Sequence, residues 1–265
     1  MKWRGRKGSD NIVDQRSFGG RGTAMGGGTL IIGAIIYFLL GGNPIDFVAQ
    51  NTDVASQRSP ASVSNAEDGR KEFASVVLAD TEDVWIEQFR AAGLTYDPPK
   101  LVLFQNAVRS ACGSANSAVG PFYCPADRRV YLDLSFFDQL SRDLGAQGDF
   151  AGAYVIAHEI GHHIQKLLEL DRSRRDNRSS VQLELQADCL AGVWAHQTEA
   201  SKDVIEAGDI DEALGAAAAV GDDRLQERSQ GYVVPDSFTH GTSEQRASAF
   251  RKGYSGGRLG SCVQM

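Results

Sequence analysis

Apolar and polar positions divide the 265-residue chain into four regions. Residues 1–24 are polar and basic, residues 25–42 form an uncharged and largely apolar run, and residues 43–71 are rich in Asn, Gln, Ser, Ala, Asp and Pro. From residue 72 onward, apolar positions recur at the spacings of helices and strands. The pattern therefore predicts a basic tail (1–24), a transmembrane segment (25–42), a flexible spacer (43–71) and one folded domain (72–265).

Within the folded domain, most of the periodic stretches have helical spacing. Alternating runs predict short strands at residues 101–104 and 129–134. Thr81 is the predicted N-cap of the first helix. The predicted helices cover residues 82–92, 150–170, 181–196, 203–208, 210–220 and 243–252. The fold class is therefore α+β and mainly helical, with a small β-sheet and one transmembrane helix in front of it.

The charge is unevenly distributed along the chain. Residues 1–24 contain six basic and two acidic residues, a charge of +4, so the total of -7 leaves -11 on the rest of the chain. A nucleic-acid-binding domain is expected to carry a basic patch or stripe, whereas the chain after residue 24 is acidic. The sequence therefore predicts no nucleic-acid partner.

The basic tail in front of the apolar run also bears on orientation. Positive residues stay on the cytoplasmic side of a spanning helix, which predicts a cytoplasmic N-terminus and a folded domain on the periplasmic or extracytoplasmic side. The run is short for a spanning helix and contains several glycines, so a cleaved signal peptide and a buried core helix are the alternatives. We predict an uncleaved, single-pass anchor in the cell membrane.

All four cysteines follow the apolar run. An even number of cysteines in an exported domain favours disulfides. We predict a Cys112–Cys124 bond across a loop rich in Gly and Ser, with Cys189 either bonded to Cys262 or free and buried. The CxxC spacing is absent from the sequence, which argues against a cysteine zinc site.

The run His158-Glu159-Ile160-Gly161-His162 lies within the helix predicted at residues 150–170. Residues four apart project from nearly the same helix face, about 40° apart, so the two imidazoles can bind one zinc ion. Glu159 is placed where its carboxylate can reach a water molecule on that metal without binding the metal itself. The alternative is two histidines satisfied by ordinary hydrogen bonds on a helix face.

A catalytic zinc site needs a third protein ligand and an open position. One class of zinc peptidases supplies a His six residues after the second motif His and a Gly three residues after it. Leu168 and Gln165 occupy those positions, which excludes that class. The other common solution is a Glu on a following helix, and Glu184 on the helix at residues 181–196 is the predicted third ligand.

Asp188 lies one turn after Glu184 on the same helix face. The flanking apolar residues indicate a mostly buried helix, where an unpaired carboxylate would be costly. We predict that Asp188 accepts a hydrogen bond from the distal ring nitrogen of His158 and fixes its tautomer. The alternative is an acidic pair on a solvated helix face.

His163 points about 100° away from His162 and is predicted to pack or to support the site. The weaker ligand candidates are Glu169, Glu199 and His196.

Peptide hydrolysis also requires a group that stabilises the negative oxygen of the tetrahedral intermediate. His240 lies in a predicted loop. If Thr242 or Ser243 caps the helix at residues 243–252, Arg246 would face out of its first turn, close to His240. Both side chains are hydrogen-bond donors, and both are candidate catalytic residues. The alternative for each is a surface or structural role.

Several segments together carry a resemblance to a known family. They are Trp3-Arg4-Gly5-Arg6, Gly120-Pro121-Phe122-Tyr123-Cys124-Pro125, Tyr131-Leu132-Asp133-Leu134, the HEIGHHIQ stretch from His158, and Glu184-Leu185-Gln186-Ala187-Asp188. The chain resembles the neutral zinc metallopeptidases of bacteria, within the class that combines HExxH with a downstream Glu. The resemblance implies a zincin-like domain, Zn²⁺ as cofactor, Glu159 as general base and Glu184 as third ligand. Related membrane-associated peptidases often have Pro after the final His, where this chain has Gly241.

The predicted function is that of a membrane-anchored zinc metalloendopeptidase whose substrates are peptides or proteins. Zinc held by His158, His162 and Glu184 would activate a water molecule, and Glu159 would pass its proton to the leaving amine. The strand at residues 129–134 could hold an extended substrate by backbone pairing if it lies at a sheet edge.

Two other functions are compatible with the same residues. One is a membrane-anchored binding or assembly protein with structural zinc, which would need a fourth protein ligand such as His163, His196 or a cysteine. The other is a zinc amidohydrolase that acts on a non-peptide amide. Glu159 argues against the first, because a structural site has no use for a general base.

Overall fold

The computed structural model describes residues 1–16, 65–172 and 176–263. The helices are α1 (Asn65–Ala91), α2 (Phe136–Arg142), α3 (Asp149–Leu167), α4 (Asn177–Lys202), α5 (Asp209–Ala219), α6 (Asp222–Gln230), α7 (Ser243–Gly256) and α8 (Gly260–Val263). The strands are β1 (Ile12–Asp14), β2 (Lys100–Phe104), β3 (Ala107–Ser110), β4 (Gly113–Asn116), β5 (Phe122–Cys124) and β6 (Arg129–Asp133). The prediction of a mainly helical α+β fold with a small sheet is confirmed.

Four strands form one sheet in the order β1-β2-β6-β5, and β3 and β4 form a separate hairpin. β1 and β6 both run parallel to β2, whereas β5 runs antiparallel to β6. Successive side chains of β2 face opposite sides, so Leu101 and Leu103 enter the main core while Val102 and Phe104 enter a smaller cluster. The suggestion that residues 129–134 form an edge strand is wrong, because β6 is paired on both sides and β5 occupies that edge.

Helices α3 and α4 cross closely at Gly161, in the middle of the histidine motif. A Cβ at this position would lie 2.9 Å from the carbonyl oxygen of Ala187 and 3.0 Å from its Cα. A larger residue would therefore push α4 away from α3. The glycine that weakens the helical pattern of the sequence is thus the point at which α4 approaches the motif, with Glu184 and Asp188 on either side of the contact.

Both disulfides are present. Cys112 is bonded to Cys124 and Cys189 to Cys262. The first bond ties the turn after β3 to strand β5, as the sequence predicted, and the second ties α4 to α8. The alternative in which Cys189 is a free buried thiol is therefore excluded.

Two helix predictions are wrong. The first helix starts at Asn65 rather than residue 82, and Thr81 lies inside it with its hydroxyl bonded to the carbonyl of Leu78 at 2.7 Å instead of acting as an N-cap. Residues 203–208 do not continue as a helix, because Asp203 adopts a left-handed conformation at φ 50° and ends α4. Both errors come from local signals that longer-range packing overrides.

Residues 1–16 are part of the fold, which corrects the prediction that residues 1–24 form a separate tail and that the domain begins near residue 72. Strand β1 pairs with β2, and Met1 is buried in the main core. The predicted transmembrane segment at residues 25–42 lies outside the described residues. Among the described ranges, no helix combines the length and the apolar character that crossing a membrane requires.

Candidate metal centre

Three side chains from α3 and α4 converge as the sequence predicted. The Nε2 atom of His158 lies 3.2 Å from Glu184 Oε2, and the Nε2 atom of His162 lies 3.5 Å from Glu184 Oε1. One ligand atom from each of the three residues lies within 4.8 Å of the other two. Two imidazoles and a carboxylate are the donor set of a catalytic zinc site, so these residues fit that metal.

His158 is oriented by Asp188, which is fully buried one turn after Glu184. The Nδ1–H of His158 donates to Asp188 Oδ1 at 2.8 Å, which leaves Nε2 free to bind a metal. Burial lowers the pKa of His158, but the carboxylates of Asp188 and Glu184 outweigh it and raise the pKa to about 10. The predicted role of Asp188 therefore matches its position.

His162 has a support of its own that the sequence reading missed. Its Nδ1–H donates to Gln165 Oε1 at 2.9 Å, and the amide of Gln165 donates to the carbonyl of Leu183 at 2.6 Å. Gln165 is 2% exposed, so these bonds are shielded from water. This side chain connects the second metal ligand to the backbone beside the third.

We expect Gln165→Leu to weaken zinc binding by about 10- to 100-fold, the usual effect of removing an outer partner from a metal-binding His. Titration with a competing zinc chelator measures the affinity, and Gln105→Leu at an exposed glutamine is the matched control. An unchanged zinc affinity in a Gln165→Leu protein with a native circular dichroism spectrum would show that the contact does not support the ligand.

Arg246 lies in the buried network behind His158. Its Nε donates to Asp188 Oδ2 at 2.8 Å, its Nη2 to Asp188 Oδ1 at 3.1 Å, and its Nη1 to the carbonyl of Val220 at 3.3 Å. Tyr154 also donates its hydroxyl to Asp188. Thr242 caps α7 as predicted, but Arg246 is only 3% exposed and points inward. The expectation that it faces out of the first turn of α7 is therefore wrong.

Glu159 is buried beside the ligands and lies near strand β5. Burial raises its pKa, and the charges of His162 and His158 and the nearby backbone of Tyr123 partly oppose that rise. His163 lies against the same strand, because its Nδ1 accepts from the Tyr123 hydroxyl at 3.0 Å and its Nε2–H donates to the Asp97 carbonyl at 2.7 Å. The supporting role predicted for His163 is thus to join α3 to strand β5.

His240 lies in the loop between α6 and α7, and Asp222 organises that loop. Asp222 Oδ2 accepts from the backbone N–H groups of Thr239, His240 and Gly241 at 2.8, 2.6 and 2.9 Å. Asp222 Oδ1 lies 3.2 Å from His240 Nδ1, and this hydrogen bond raises the pKa of His240. The Glu184 charge raises it further, so His240 lies within electrostatic reach of the ligands.

The conformation of Gly241 explains why this loop lacks the Pro that often follows the final His in related peptidases. Its φ is 89°, a conformation that proline cannot adopt. A Cβ at this position would also lie 3.1 Å from the side chain of Val181 and 3.5 Å from that of Leu185. These two residues flank Glu184 by three and one positions on α4, so the glycine lets the loop pack beside the third ligand.

Comparisons with known proteins agree with this geometry. The sequence model of a family described as "Putative neutral zinc metallopeptidase" matches residues 1–265. The protein YpfJ of Escherichia coli K12, named as uncharacterized, is 49% identical over a 283-residue alignment that covers 99% of this chain and 98% of YpfJ. The uncharacterized protein Rv2575 of Mycobacterium tuberculosis H37Rv is 43% identical over 182 residues, which cover 63% of this chain and 62% of Rv2575. No solved structure matches the chain.

The family implies a zinc cofactor, in agreement with the two imidazoles and the carboxylate that meet between α3 and α4. The full-length match and the relative at 49% identity show that this chain belongs to the neutral zinc metallopeptidase family.

Proposed function

We propose that the protein hydrolyses peptide bonds in peptides or proteins at the centre formed by His158, His162 and Glu184. The observation that carries this proposal is the position of Glu159, a buried carboxylate next to three converging ligands. When bound there, zinc polarises a carbonyl oxygen and makes water more acidic. Glu159 removes the proton from the attacking water and delivers it to the leaving amine.

The structural-zinc alternative requires a fourth protein ligand, and the described residues supply three. His163 uses both ring nitrogens in hydrogen bonds, and the four cysteines are in disulfides. His196 packs against Tyr254, with ring centroids 5.9 Å apart. The open position that this leaves is what catalysis needs. A zinc amidohydrolase that acts on a non-peptide amide would use the same open position.

Strand β5 lies at the edge of the four-stranded sheet. Within the described residues it pairs with β6 on one side only, and its Tyr123 backbone is close enough to Glu159 to affect the pKa of that carboxyl group. An extended peptide laid beside this strand would therefore pass the general base. We propose β5, in place of the interior strand β6, as the recognition edge.

The roles of the two predicted oxygen-stabilising residues differ. We propose that His240 donates from Nε2 to the oxygen of the tetrahedral intermediate, while Arg246 acts as a positioning residue that holds Asp188 against His158. Because His240 Nδ1–H donates to Asp222, the neutral ring carries no proton on Nε2. Only the charged imidazolium can then donate to the substrate oxygen.

This assignment predicts a pH effect. Since Asp222 raises the pKa of His240, Asp222→Asn should lower that pKa. The charged form would then be lost at a lower pH, and the basic limb of the kcat/KM profile should move to lower pH. Pre-steady-state or initial-rate assays across pH on zinc-saturated protein measure this limb. A basic limb at the wild-type position in Asp222→Asn would mean that His240 does not act as the charged donor.

Membrane attachment through residues 25–42 stays a prediction of the sequence. Those residues lie outside the described ranges, whereas the residues of the proposed centre lie within them.

A further inference from the structure

Residues 1–16, here called the N-terminal segment, contact the folded domain of residues 65–172 and 176–263 at three successive places. At the first, the ammonium group of Met1 lies 2.7 Å from Asp149 Oδ1 and 3.2 Å from Asp209 Oδ2. Trp3 Nε1 donates to the other oxygen of Asp149 at 2.9 Å. Asp149 is the first residue of α3, so the N-terminal segment contacts the start of the helix that carries the metal ligands.

At the second place, Arg6 forms a forked ion pair with Asp80, with Nη1 2.8 Å from Oδ2 and Nη2 2.5 Å from Oδ1. Asp80 is 1% exposed, and a carboxylate buried to this extent is costly without its charged partners. Beyond Arg6, Ser9 and Asn11 both donate to Glu82, at 2.6 and 2.8 Å. The segment therefore supplies one of two cations at the buried Asp80, the other being Lys202 at 2.6 Å, and it also bonds to Glu82.

At the third place, the segment becomes a strand of the sheet. β1 pairs with β2 in parallel register, Ile12 with Leu101 and Asp14 with Leu103. The backbone N–H of Leu101 donates to Asn11 at 2.9 Å, and that of Gln15 donates to Leu103 at 2.8 Å. Through these backbone hydrogen bonds the segment forms part of the sheet, beside strand β2.

A chain that crosses a bilayer once leaves its two flanks on opposite faces, separated by a hydrocarbon core of roughly 30 Å. Hydrogen bonds of about 3 Å do not form across that distance. We infer that the N-terminal segment and the folded domain lie on the same face of any membrane to which the protein is attached. The single-pass arrangement predicted from the charge pattern, with a cytoplasmic N-terminus and an extracytoplasmic domain, is incompatible with this interface.

Some basic residues of the segment take part in these contacts. Arg6 is paired with Asp80 at 2.5 Å and Lys2 with Asp203 at 3.7 Å, whereas Arg16 is paired with Asp14 of the segment itself at 2.7 Å. Part of the basic character of the segment therefore complements acidic residues of the domain.

Labelling of introduced cysteines in intact cells tests the inference on the full-length chain. Lys7→Cys reports on the N-terminal segment and Arg251→Cys on the domain, and both positions are exposed. A maleimide that cannot cross membranes is added before or after permeabilisation, and modification is read by a mass shift. We expect the two variants to react under the same condition, whichever it is. Reaction of one before and the other only after permeabilisation would overturn the inference.

A second measurement needs no substitution. Lys2 donates to the carbonyl of Asp203 at 3.1 Å, and the neighbouring Lys202 contacts Asp80, the partner of Arg6. An amine-reactive cross-linker applied to the unaltered protein in its native membranes should therefore join Lys2 to Lys202. Recovery of cross-links within the domain without any between the N-terminal segment and the domain would contradict the interface. Neither readout depends on peptidase activity.

Discussion

Glu159→Gln is expected to retain zinc and to lose peptide hydrolysis by about 10²- to 10⁴-fold, the range that a positioned general base contributes. Glutamine keeps the shape of the side chain, but it cannot take a proton from water. Because Glu159 is not among the three converging ligands, zinc content should be unchanged. The measurement is kcat/KM on a cleavable peptide, with zinc quantified in the same sample.

Glu244→Gln is the matched control, because Glu244 is an exposed glutamate on α7. It should hydrolyse peptide at the wild-type rate. Zinc-loaded Glu159→Gln that retained wild-type activity would remove Glu159 from the mechanism. Loss of zinc together with activity would instead make Glu159 a metal ligand.

Glu184→Ala is expected to lose tight zinc binding and, with it, activity. Its carboxylate faces the Nε2 atoms of both His158 and His162, so its removal leaves two protein ligands where a catalytic site needs three. Although burial opposes ionisation, the two histidines lower the pKa of Glu184, which keeps it charged and ready to bind a cation. Zinc retained after exhaustive dialysis, measured by atomic emission, reports the effect.

Glu227→Ala, at an exposed glutamate on α6, is the control for this substitution. A normal zinc content in folded Glu184→Ala would show that the third ligand lies elsewhere. Removal of zinc from the wild-type protein with a chelator should reproduce the loss of activity, and added zinc should restore it.

The metal ligands could be predicted because their geometry is local. Helical periodicity alone places His158 and His162 on one face, and the same rule places Glu184 and Asp188 together on the next long helix. Helical periodicity does not predict the contact between the two helices. That contact lies at Gly161, and its close approach to Ala187 is visible only in the folded chain.

Two supporting residues went unrecognised for different reasons. Gln165 lies three residues after His162 on the same helix, so its contact with that ring could have been inferred from helical spacing. Asp222 could not, because a carboxylate that accepts three backbone N–H groups of a loop 17 to 19 residues later leaves no periodic signal. Arg246 shows the converse, since its position in α7 was predicted and its inward direction was not.

The N-terminal segment was predicted to be a separate tail because the contacts that hold it join residues far apart in the sequence. Strand β1 has only three residues, too few for an alternating pattern, and it pairs with a strand almost ninety positions later. Its arginines resemble a solvated tail until their buried partners, such as Asp80, are known. Parallel pairing of distant segments is the class of contact that local sequence rules do not detect.

The most direct test of the central claim is to incubate zinc-loaded wild-type protein and zinc-matched Glu159→Gln with a diverse peptide library and to identify new termini by mass spectrometry. A zinc-dependent peptidase with Glu159 as its base should generate new termini with the wild type, lose them on zinc removal, and generate almost none with Glu159→Gln. An unchanged library after incubation with the zinc-loaded wild type, or equal cleavage by the two proteins, would contradict this account.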